Sequence, residues 1–187
     1  MKLFNHRGIV AALSVGLIMG LFGLVSCETA PSTPEGKAEL RSQSAESLRQ
    51  AEANDPSFAA MIRKSAGYAV FPSIGKGAVG IGGAYGKGDL YENGVLVGYC
   101  DMTQGTIGFQ LGGQSYTEIL VFETADAVQS FKSGKLRFDA QATAVALKSG
   151  AGANAKFANG VCVFTMNEAG LMYEASIGGQ QFTFQPI

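Results

Sequence analysis

The pattern of polar and apolar positions changes twice along the chain. Residues 8–25 are an almost unbroken apolar run without charge, preceded by Lys2 and Arg7. From Pro34 to about Ala53 most residues are polar, with Ala38, Leu40, Ala45, Leu48 and Ala51 as a thin apolar stripe. Thr33-Pro34-Glu35 starts a helix there, with a capping hydroxyl, a proline in the first turn and an acid at the positive end of the dipole. Asn54-Asp55-Pro56 ends it and caps a second helix, residues 56 to about 66, with Phe58, Met61 and Ile62 on its apolar face. From Gly67 the period falls to two, the strand period. Strands are expected over 68–71, 77–86, 106–111, 116–122, 160–166, 171–177 and 182–184. Asn93-Gly94 between Leu90-Tyr91 and Val95-Leu96-Val97 predicts a tight hairpin, because both central residues of a type I′ turn need positive φ. Thr124 caps a short helix that turns Ala127, Val128 and Phe131 inward, and residues 138–147 fit either strand or helix.

Glycine shapes the expected sheet. It makes up 26 of 187 residues, about twice the usual ~7%. Paired glycines recur inside the strand pattern, in Ile81-Gly82-Gly83-Ala84-Tyr85, Leu111-Gly112-Gly113-Gln114-Ser115-Tyr116 and Ile177-Gly178-Gly179-Gln180-Gln181-Phe182. Glycines within strands mark bulges, sharp coiling or close backbone approach. The expected fold is α+β, with N-terminal helices packed on a strongly curved, glycine-rich antiparallel sheet or partly closed barrel.

A short basic segment followed by an apolar run is an export signal. Leu24-Val25-Ser26-Cys27 resembles, at every position, the lipobox of bacterial lipoproteins. That resemblance implies cleavage before Cys27, a diacylglyceryl group on its thiol, and palmitate among the acyl chains of the anchor. The chain then divides into a signal peptide 1–26, a lipidated tether 27–33, a helical segment 34–55 and a domain 56–187. Glu28 replaces the aspartate that holds enteric lipoproteins in the inner membrane, so the expected location is the outer membrane of a bacterial envelope, facing the periplasm. Processing also removes His6, the only histidine, and with it every histidine-based catalytic or metal site. No enzyme activity, cofactor or metal is expected. Gly75-Lys76-Gly77-Ala78-Val79-Gly80 fits GxGxxG, but no helix opens after it, as a dinucleotide site requires. Cys100 and Cys162 could pair in an oxidising compartment. The alternation of Cys162 with Phe164 and Met166 reads instead as a buried face with free thiols.

The net charge of −1 gives no footprint for nucleic acid. The order of the charges is more telling. Residues 56–88 hold Arg63, Lys64, Lys76 and Lys87 and no acid; 89–126 hold only acids; 127–157 are basic again, with Lys132, Lys135, Arg137, Lys148 and Lys156 against Asp139. A fold that joins the basic blocks makes one positive face, suited to anionic lipid headgroups.

The run 64–88, Lys-Ser-Ala-Gly-Tyr-Ala-Val-Phe-Pro-Ser-Ile-Gly-Lys-Gly-Ala-Val-Gly-Ile-Gly-Gly-Ala-Tyr-Gly-Lys-Gly, resembles the start of the SYLF lipid-binding domain. Residues 106–118, 138–146 and 170–181 resemble its later segments in the right order, so the likeness runs from about Ser57 to the C-terminus. It implies a lipid-binding module, and Lys64 and Lys76 stand in the matching motif; Arg63 and Lys87 join them on charge alone. Eukaryotic relatives bind phosphoinositides, and some fungal relatives bind actin. A bacterial envelope supplies neither, so the expected partner is anionic phospholipid. The alternative is a structural envelope lipoprotein that meets a protein partner through the 34–53 helix and binds no lipid beyond its own anchor.

Overall fold

The computed structural model describes residues 31–77, 81–107, 114–167 and 176–187. The expected signal peptide and Cys27 lie outside the described residues. Among those described, the elements run α1 (Pro34–Asn54), α2 (Pro56–Lys64), β1 (Gly67–Gly77), β2 (Ile81–Glu92), β3 (Val95–Ile107), β4 (Gln114–Phe122), α3 (Ala125–Lys132), β5 (Val145–Ala146), α4 (Ala151–Asn154), β6 (Val161–Asn167) and β7 (Gln180–Pro186). The strands make one sheet in the order β5-β6-β4-β1-β2-β3-β7. The α+β class is as expected, but β5 and β7 remain edges, so the sheet does not close into a barrel. Nor is it wholly antiparallel, since the two residues of β5 lie parallel to β6.

Strong curvature is visible in what meets across the inner face. β2 and β3 separate β1 from β7, a span of about 14 Å in a flat sheet at ~4.8 Å per strand. Yet the rings of Phe71 in β1 and Phe182 in β7 are 5.9 Å apart. Phe182 also meets Phe131 of α3 at 5.1 Å and Phe138 at 6.1 Å. Further along, Gln180 of β7 donates to Glu118 of β4 at 2.9 Å, both fully buried. Gly88 permits the bend: a Cβ there would lie 2.6 Å from the Val70 carbonyl oxygen and 2.7 Å from the Phe71 ring. Pro72 sits in the central strand β1, where a ladder donor is missing, and the register slips between Val70 and Ser73 to accommodate it. The Thr117 hydroxyl donates to the Pro72 carbonyl at 2.8 Å.

Two cores result. The inner one gathers Phe71, Leu90, Met102, Leu120, Phe122, Phe131 and Phe182 beneath α3. The outer one gathers Phe58, Ile62, Tyr68, Val70, Ile119, Val121, Leu147 and Phe164 beneath α2 and α4. Cys100 belongs to the first and Cys162 to the second; both are buried and unpaired.

Several boundaries move, and the reason is the sheet itself. β1, β2 and β3 run 11, 12 and 13 residues, longer than local alternation suggested, because each pairs along its length with neighbours that hold polar and glycine positions in line. Val95–Ile107 carries the 95–97 hairpin strand straight through to residue 107. Of the ambiguous 138–147 stretch only Val145–Ala146 becomes strand. The expected 171–177 hairpin strand falls mostly outside the described residues; Ser176 makes an isolated bridge to Thr143, and Ile177 packs in the inner core.

α1 lies across the outer face with a polar underside. Its buried positions are Leu40, Ser44, Ser47 and Ala51, while Ala38 and Ala45 of the expected stripe are exposed. Leu40 packs on Tyr99, and Lys37 lies over the same ring at 5.0 Å. Below Ser44 is Asp89, fully buried in β2. Burial pushes the Asp89 carboxyl up to about 6, against the opposing pull of the Ser44 and Tyr91 hydroxyls and the Arg41 charge. An acid raised by folding disfavours the folded state once it is ionised. Stability tied to Asp89 is therefore greatest below about pH 4, is lost as pH rises through about 6, and stays lost above it. The penalty at pH 7 is on the order of 2–3 kcal/mol. Asp89→Asn removes this slope. Urea unfolding from pH 4 to 7.5 is expected to show the variant gaining on the parent by that amount between pH 4 and 7. Parallel curves for the two proteins would contradict it.

Candidate functional site

The four basic candidates do not form one face. Arg63 and Lys64 are consecutive in the last turn of α2, both exposed, and neither has an ion-pair or hydrogen-bond partner among the described residues. Lys76 lies near the other end of β1, nine residues past Gly67, or about 30 Å at ~3.3 Å per residue. Its backbone registers with Ala84 and Gln114, and its side chain is outside the described residues. Lys87 is half-buried on β2, in register with Ser73 and Asp101. Burial raises the Asp101 carboxyl, while hydrogen bonds from Tyr85 (3.0 Å) and Thr183 (3.3 Å) and the nearby Lys87 charge pull it back. Lys87 thus lies near a buried acid whose carboxyl stays raised despite it. Of the second basic block, Lys132 is bound to Glu92 at 2.9 Å and lies over the Phe184 ring.

Arg63 and Lys64 owe their position to Asp55. Its side chain caps α2 by accepting from Ser57 N at 2.9 Å, and from Ser57 Oγ at 2.6 Å. It also reaches across nearly a hundred residues, accepting from Gly150 N at 3.1 Å and Gly152 N at 2.7 Å. Ser57 Oγ in turn accepts from Ala153 N at 2.9 Å. Burial pushes the Asp55 carboxyl up, but the hydrogen bonds from Gly152, Ser57 and Gly150 together outweigh it and hold the carboxyl below its usual value. Gly152 makes the approach possible, since a Cβ there would lie 2.5 Å from Phe58 N. Phe58 then stacks edge-on against Phe164 at 5.0 Å, seating α2 on the sheet.

So held, α2 stands as a ridge with a groove on each side. One groove, of about 480 Å³, runs between α2 and α4, with Ala60, Met61, Ala153 and Phe157 in its walls and Lys64 and Glu123 among its polar lining. The other, of about 470 Å³, opens between α2, the C-terminal part of α1 and the Asn93-Gly94 turn. Leu48, Ile62 and Tyr68 line it with Arg63 and Glu52. Ser65, whose hydroxyl donates to the Ile62 carbonyl at 2.8 Å, lines both. The sequence pointed to the cations and placed Met61 on the apolar face of α2, but did not point to the grooves. Phe157, Glu123 and Asn93 reach α2 only through the fold, and no local pattern signals their convergence.

Among the described residues, no helix is long and apolar enough to cross a membrane, and no three histidine, cysteine, aspartate or glutamate side chains gather to hold a metal. No curated protein matches the chain. The family model described as Ysc84, Las17-binding protein actin regulator, matches residues 103–186. That span covers β3 from Thr103 through β7, leaving α1, α2, β1 and β2 ahead of it. The likeness quoted for residues 64–88 therefore stands outside the matched span, and so do Arg63 and Lys64. Residues 103–186 are thus similar to the Ysc84/SYLF family.

Proposed function

We propose that this chain is a membrane-anchored lipid-binding protein of a bacterial envelope, whose headgroup contact is the exposed end of α2. The observation that carries this reading is the pair Arg63–Lys64: two adjacent, unpaired, exposed cations beside apolar grooves, on a chain with a SYLF-family segment. Anionic phospholipid fits such a pair. A Lys or Arg near an anionic surface contributes about 1 kcal/mol, so reversing two charges removes more than tenfold in affinity. The anchor is the diacylglyceryl group on Cys27, in the outer membrane and facing the periplasm. Acyl burial at about 0.8 kcal/mol per CH₂ keeps a multiply acylated protein on its bilayer. The reading assigns no catalytic group and no cofactor, and it makes anionic phospholipid, not actin, the partner.

Co-sedimentation of unlipidated residues 28–187 with vesicles tests the contact. Binding is expected to phosphatidylglycerol-containing vesicles and not to phosphatidylcholine vesicles, and to weaken with salt as exposed charges are screened over about 8–10 Å. The Arg63→Glu, Lys64→Glu pair should lose more than tenfold, with fold stability within about 0.5 kcal/mol, as for other exposed substitutions. Lys87→Glu should bind as the parent does. Equal binding to both vesicle types, or an unaffected double variant, would defeat the proposal. Binding to neither would leave the structural lipoprotein. Separately, mass analysis of the membrane-extracted protein should find a thioether-linked diacylglyceryl group on an N-terminal Cys27; an unmodified thiol there would remove the anchor.

A further inference from the structure

Two features of the α2 ridge narrow the ligand. The first is symmetry of space. The grooves on its two sides are nearly equal, about 480 and 470 Å³, and they meet at Ser65 just past the last turn. Successive residues on a helix diverge by about 100°, so Arg63 and Lys64 lean apart, one lining each groove. The second is charge. Each cation shares its groove with an acid, Arg63 with Glu52 and Lys64 with Glu123. Each acid offsets part of its cation's charge, so a bare phosphate gains less there than from the cations alone. A ligand held there needs the apolar walls, and needs them on both sides of a shared anionic centre.

Building on the lipid-binding reading, we propose that the end of α2 is a saddle for a single two-tailed phospholipid, with its phosphate over Arg63 and Lys64 and one acyl chain in each flanking groove. Met61, Phe157 and Ala60 receive one chain; Leu48, Ile62 and Tyr68 receive the other. The Arg63–Lys64 pair supplies the electrostatic contact, and the ridge separates the chains. Selection is then for the number of tails as well as for the sign of the head.

Among the described residues, the sheet and both cores lie within 31–187, so unlipidated residues 28–187 are used. The probes are monomeric lipids below their micelle concentrations: dihexanoyl phosphatidylglycerol, its single-chain hexanoyl lyso counterpart, and glycerol 3-phosphate. Each buried CH₂ is worth about fourfold in affinity. The two-chain lipid should bind at least tenfold more tightly than the lyso form, and glycerol 3-phosphate should show no saturable binding. Ala153→Trp, at an exposed position in one groove, or Glu52→Trp in the other, should bring the two-chain lipid down to the affinity of the lyso form. Equal affinities for one and two chains, two-chain binding untouched by both tryptophans, or tight binding of glycerol 3-phosphate would overturn the saddle. Where that happens while the parent still sediments with phosphatidylglycerol vesicles, the saddle fails and the lipid-binding reading stands. Loss of vesicle binding as well removes both.

Discussion

The outer half of this fold depends on one buried carboxylate. Asp55 accepts four hydrogen bonds, two from Ser57 beside it and two from the Gly150 and Gly152 amides far along the chain. A buried charge is tolerable only when it is so satisfied. Here the satisfaction also sets the spacing between α2 and α4, because both segments must bring donors to the same two oxygens. Phe58 is drawn onto Phe164, and Gly152 is pressed against the Phe58 backbone. The ridge, its two grooves and the direction of Arg63 and Lys64 follow from that clamp.

The inner half rests on curvature. Phe182 can meet Phe71 only if β2 and β3 bend between them, and Gly88 leaves the room for it. The same bend brings Gln180 to Glu118 and gives α3 a concave core to cover. α1, the longest helix, buries only two apolar residues, Leu40 and Ala51. It covers a face bearing Asp89, Tyr91 and Tyr99, and its own underside includes Ser44 and Ser47. Its packing carries a pH dependence that an apolar helix would not have.

How far the sequence spoke depended on whether a signal was local. The helix starts at Thr33 and Asp55, the Thr124 cap and the Asn93-Gly94 turn were legible because a cap or a positive φ is a property of a few adjacent residues. The α+β class was legible in the period change; the curvature was expected from paired glycines, but Gly178-Gly179 lies in a turn before β7 and the glycine that leaves room for the bend is Gly88. Strand lengths were not, because a pairing partner extends β3 through Cys100–Gly105 where local alternation lapses. The pairing of β7 with β3, away from β6, was equally invisible. For the site, the family resemblance named Lys64 and Lys76, and charge order added Arg63 and Lys87. The bulged length of β1 separates Lys76 from Arg63 and Lys64, and Lys87 is half-buried on β2 near Asp101. The role of Asp55 beyond capping had no local signal, since its distant donors are backbone amides.

Under the proposed function, α2 is the end of the molecule that meets a bilayer. The orienting contact in that proposal is a claim about the α2 ridge alone. The sequence contains no tryptophan, and a single one reports its surroundings without interference. The most direct measurement places tryptophan at Met61, in the groove beside Lys64, or at exposed Thr103 toward the opposite end of the sheet. Each variant of residues 28–187 is then mixed with phosphatidylglycerol vesicles containing brominated acyl chains. The account predicts blue-shifted, strongly quenched emission from position 61 and unquenched emission from position 103. Quenching at 103 with none at 61 would contradict it.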